Sequence, residues 1–119
     1  MAVNAYRDFQ VCYNDASGKP TSVQFAASPD SVNNANAVSV FVPRYKSSNP
    51  ADGVAWDQIP LNHSVSTRFD RRFSINDRYF DMKAINDFGV WYRAWRPDGS
   101  FEDLQGYGAN VKPRYIGVS

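Results

Sequence analysis

In the run WYRAWRPDGSFED, positions 91–103, Trp91, Arg93 and Trp95 occupy alternate residues, and Phe101 and Asp103 follow after a Pro-Asp-Gly break. On an extended strand, alternate side chains share a face at a spacing of about 6.7 Å. Two indoles then flank one guanidinium. Indoles offer a flat apolar surface with a polar edge, suited to the C–H faces of sugars, to nucleobases or to quaternary ammonium groups. An Arg and an Asp beside them add oriented hydrogen bonds.

Arg96-Pro97-Asp98-Gly99 suits a type I turn with Gly99 in the left-handed position, the three-residue hairpin connection. The register follows from that turn. Arg96 opposes Ser100, Trp95 opposes Phe101, Ala94 opposes Glu102, Arg93 opposes Asp103 and Tyr92 opposes Leu104. One face carries Phe88, Val90, Tyr92, Ala94 and Leu104 and reads as core. The other carries Trp91, Arg93, Trp95, Phe101 and Asp103. It is either a surface groove, the reading adopted for function, or a face packed on another sheet with Arg93 and Asp103 at its margin. Tyr107, on the Gly-flanked loop that follows, joins the candidate site.

Other chemistry is thinly supplied. Glu102 and Asp103 are neighbours, so on a strand they point to opposite faces and cannot flank one glycosidic bond. Cys12 is the only cysteine and His63 the only histidine, which removes disulfides, Cys cages and His clusters. Cys12 in FQVCY reads as a small buried hydrophobe. No G-x-S-x-G or Walker A pattern is present. Asp57 beside Trp56 is the remaining raw material for a hydrolase, and the expectation is no enzyme, no metal and no cofactor. The Asp- and Asn-rich turns lack a D-x-D-x-D-G calcium loop, and both residues are ordinary in turns.

The stretch 66–80 interleaves Arg68, Arg71, Arg72 and Arg78 with Phe69, Phe73, Tyr79 and Phe80, a mixture that can stack on single-stranded nucleic acid. Asp70, Asp77 and Asp81 cancel much of that charge. With Lys and Arg totalling 13 against 12 acidic residues, the net charge is +1 and no global basic field exists. A solvated or subunit-facing surface is the better expectation.

These side chains must be positioned by strands. Val occurs twelve times, Phe eight and Tyr seven, whereas Leu occurs twice and Glu once. β-branched and aromatic residues fit a pleated surface, and helix formers are scarce. Turn chemistry recurs at 14–20, 28–36, 46–53, 75–77, 85–87, 96–99 and 105–110. Between the turns lie short apolar segments near 5–14, 20–27, 37–45, 54–60, 63–75, 78–85, 88–96, 100–104 and 113–118. Several alternate cleanly: Val23, Phe25 and Ala27; Val38, Val40 and Val42; Phe80, Met82 and Ala84.

Residues 1–119 are thus expected to form one all-β domain, a compact antiparallel β-sandwich with jelly-roll connections an option and a small barrel the second choice. The N-terminus lacks signal-peptide character and no apolar run is long enough to span a membrane, so synthesis in the cytoplasm is expected. NHS at 62–64 has the form of a glycosylation sequon and is read as chance. The functional expectation is a non-catalytic, lectin-like module binding a glycan or another small polar ligand. The alternative is a self-assembling structural subunit, of a viral capsid, tail or filament, that uses the same aromatic and Arg-rich strands as contacts in a homo-oligomer.

Overall fold

The computed structural model describes residues 6–13, 19–29, 35–65, 68–104 and 110–117. Nine strands and one α-helix follow in chain order among them, with a short 3-10 turn at Pro50–Asp52: β1 Tyr6–Tyr13, β2 Pro20–Ser28, β3 Ala37–Tyr45, β4 Val54–Pro60, β5 Asn62–Val65, β6 Arg68–Ser74, α1 Met82–Phe88, β7 Trp91–Trp95, β8 Phe101–Asp103 and β9 Arg114–Gly117. One sheet has the order β5-β6-β2-β1-β9 and the other β4-β3-β7-β8. Every pairing is antiparallel except β1 with β9.

Hairpins alternate with crossings between the sheets. The β1-β2 hairpin crosses to β3-β4, a single residue, Leu61, carries the chain back to β5-β6, and α1 lies on the return to β7-β8. β5-β6-β2-β1 packs against β4-β3-β7-β8, with successive hairpins placed in alternate sheets. The sheets form a sandwich and do not close into a barrel.

Alternation builds the core between them. Phe9 and Val11 on β1, Val23, Phe25 and Ala27 on β2, Val38, Val40 and Val42 on β3, and Val90, Tyr92 and Ala94 in and beside β7 are all buried. Phe9 stacks on Phe25 with ring centroids 4.7 Å apart, and Phe80 closes over Phe25 at 5.9 Å. Cys12 is a free thiol, 8% exposed. The Tyr92 hydroxyl crosses the sandwich and donates to the Asp8 carbonyl, tying β7 to β1.

Three expectations need correction. The segment expected as a strand at 78–85 gives way to α1, and Phe88, assigned to the core face, is the last residue of that helix and 40% exposed. Asp81 explains why: its carboxylate accepts from the Ala84 N–H at 3.2 Å as an N-cap and from the Tyr45 N–H at 2.9 Å. Gly89 stops the helix with φ +73°, and its N–H donates to the Ile85 carbonyl at 2.8 Å. The segment 63–75 is two strands, β5 and β6, paired as a hairpin. No helix among the described residues is long and apolar enough to cross a membrane.

Candidate functional site

The β7-β8 hairpin has the register read from its turn. Arg93 pairs with Asp103, Ala94 with Glu102 and Trp95 with Phe101. Gly99 has φ +90°, its N–H reaches the Arg96 carbonyl at 3.0 Å, and the Arg96 N–H donates to the Ser100 carbonyl at 2.8 Å. Asp98 fastens the turn by accepting from the backbone and hydroxyl of Ser100, at 2.8 and 2.6 Å. Those two bonds hold its carboxyl below the usual carboxylate range.

β7 therefore splits its side chains. Tyr92 and Ala94 are buried, while Trp91, Arg93 and Trp95 are half-buried on the outer face of the four-stranded sheet. Two neighbouring strands complete that face. Phe41 on β3 lies directly opposite Trp91, and their rings stack with centroids 4.0 Å apart and an interplanar angle of 6°. Trp56 on β4 approaches Trp91 edge to face at 6.4 Å.

The Arg93 guanidinium is fixed from two directions. Its Nε donates to Asp103 Oδ1 at 2.7 Å, and its carbon lies 4.0 Å from the centroid of Phe101. It stands 5.1 Å from the Trp91 centroid and 5.8 Å from that of Phe41. Trp91 is thus contacted by Phe41, Trp56 and Arg93 and stays half-buried. The Arg93 and Asp103 side chains remain 27% and 34% exposed. An ion pair this wet contributes little to stability, so its main effect is to orient both groups.

Trp56, Trp91, Arg93, Asp103 and Asn110 line an open groove of about 400 Å³. A tighter pocket beside β3, β4 and residues 78–81 holds about 20 Å³, room for little more than a water.

Of the residues expected in the site, Trp91, Arg93 and Asp103 meet in the groove. Trp95 and Phe101 share its face but stand toward the hairpin tip, their rings 6.4 Å apart. Phe101 is half exposed and acts as the platform under Arg93. Tyr107 lies outside the described residues. Phe41, Trp56 and Asn110 were missed as site residues. The alternation of Val38, Val40 and Val42 already turned Phe41 outward, but the adjacency of β3 to β7 needed the fold.

Glu102 turns away from Asp103 and pairs with Arg96 at 2.8 Å. Asp57 pairs with Arg44 at 2.9 Å, while its neighbour Trp56 lines the groove. The arginines of 66–80 disperse: Arg68 pairs with Asp70 at 3.0 Å, Arg72 donates to Ser22 at 3.0 Å, and Arg71 and Arg78 lie 4.7 and 5.6 Å from the Phe73 centroid.

The molecule is a β-sandwich with one aromatic outer face and a charge pair set into it. Comparison with known families, curated proteins and solved structures returns no match.

Proposed function

We propose that the protein is a non-catalytic, lectin-like binding module whose ligand occupies the groove of Trp56, Trp91, Arg93, Asp103 and Asn110. The observation that carries this reading is the open groove in which the indoles of Trp56 and Trp91 stand beside a guanidinium and a carboxylate already joined at 2.7 Å. Pre-set polar groups lose little freedom on binding, and an indole face gives the C–H side of a sugar ring a broad contact.

The opposite outer face supports the choice. There Asp8 Oδ2 accepts from Tyr6, Gln10 and Arg114 at 3.0, 2.7 and 3.2 Å, a polar network that suits water.

A glycan array probed with the protein and with Trp91→Ala tests the reading. Binding by the parent chain that the variant loses supports it, and failure of the parent to bind any glycan ends it.

Self-association is the second reading, favoured by Phe101 and Trp56, which are 50% and 36% exposed on one face. Light scattering on the array sample separates the two. Large particles or fibres that Trp56→Ala and Phe101→Ala disperse would assign the face to subunit contacts.

A further inference from the structure

We infer that the Arg93–Asp103 pair makes the groove a charge filter, selecting neutral sugars with vicinal hydroxyls over both acidic and amino sugars. This rests on the sugar-binding reading above and names the class of sugar.

The argument starts from what the pair leaves unused. Arg93 gives Asp103 only its Nε hydrogen, and Asp103 accepts only at Oδ1. Among the described residues no protein acceptor takes the two terminal amino groups of Arg93, and no donor reaches Asp103 Oδ2. Both side chains line the groove. A ligand therefore meets donors and an acceptor side by side on a pair whose net charge is zero.

Each charge class meets that arrangement differently. A ligand carboxylate satisfies Arg93 but places negative charge against Asp103. A ligand ammonium satisfies Asp103 but faces Arg93. Two adjacent hydroxyls satisfy both, one accepting from the guanidinium while its neighbour donates to the carboxylate. Opposed like charges suppress the wrong partner more than matched hydrogen bonds reward the right one. The Phe101 ring under Arg93, 4.0 Å away, keeps the guanidinium from swinging aside to relieve a misfit.

The experiment titrates the intrinsic tryptophan fluorescence with three hexose series of gluco, galacto and manno configuration. Each contains the methyl glycoside, its uronic acid and its 2-amino-2-deoxy sugar. In the series that binds, the neutral glycoside should be about tenfold tighter than either charged member, the scale of one opposed charge contact. Asp103→Asn should shift the ratio of affinities, uronic acid over neutral glycoside, about tenfold toward the acid, since the amide keeps an acceptor without the charge. A uronic acid or amino sugar that binds the unaltered protein as tightly as its neutral partner overturns the filter and leaves the sugar-binding reading standing. No response from any of the nine sugars, on a protein that also fails the array, overturns both.

Discussion

The Tyr92 phenol is fully buried and donates to the Asp8 carbonyl. Burial pushes its titration far above the ordinary phenol value, because a phenolate there would lose its hydration. The folded state then keeps a proton that the unfolded chain releases above about pH 10. A raised folded-state value gives stability that is full below the unfolded value and lost as pH climbs past it. Denaturant melts between pH 7 and 11 should show a falling alkaline limb. Tyr92→Phe should cost about 1 kcal/mol at pH 7 through the lost hydrogen bond and flatten that limb. Equal alkaline slopes in the two proteins would assign the loss to other tyrosines. At the same scale, Asp103 shows why a residue pair can be found from sequence alone: once Gly99 fixes the turn, counting outward places Arg93 opposite it.

Elements are held by small numbers of backbone-specific residues, and Gly89 is the sharpest case. At φ +73° it ends α1, and a Cβ built there would fall 2.7 Å from the Val111 carbonyl oxygen, where Val90 and Val111 form a bridge. Gly89→Ala thus meets both a disfavoured conformation and a backbone clash. The conformation alone is worth about 1–3 kcal/mol, and thermal unfolding of the variant should show at least that loss. Gly99, at φ +90°, has open space around it, so Gly99→Val tests conformation without a clash and should cost about 1–2 kcal/mol. A wild-type melt for Gly99→Val would contradict the turn. The same contrast explains what could be read in advance. Strands β3 and β4 were legible to the residue: alternation of Val38, Val40 and Val42 and flanking turns bounded β3, and turn residues on one side bounded β4. α1 was not, because Phe80, Met82 and Ala84 satisfy a two-residue period as well as Phe80, Ala84 and Ile85 satisfy a helical one. Asp81 as a cap and Gly89 as a stop decide between them, and both are also ordinary turn residues.

Across the whole molecule, alternation along β7 separates buried side chains from the outer face that carries the proposed recognition site. Val90, just before the strand, has no exposed surface and belongs to the core cluster that joins both sheets. Trp56 stands on edge strand β4 with 36% of its surface exposed and contacts Trp91 at 6.4 Å. Val90→Ala removes buried methyl groups from a packed interior and should lower unfolding free energy by about 1–3 kcal/mol. Under the proposed function, affinity for a glycan, measured on the folded fraction, should stay within about twofold of the parent, since no groove residue has changed. Trp56→Ala should do the reverse. More than a third of its surface is already exposed, so its melt should move by about 1 kcal/mol or less, while an aromatic wall of the groove is lost and binding at the proposed site weakens by about tenfold or more. The two substitutions need only chemical denaturation and one titration each. If Trp56→Ala instead unfolds the domain by the ~3–5 kcal/mol of a core aromatic, the outer face is part of the interior of a larger assembly, and light scattering on the parent protein should then show that assembly directly.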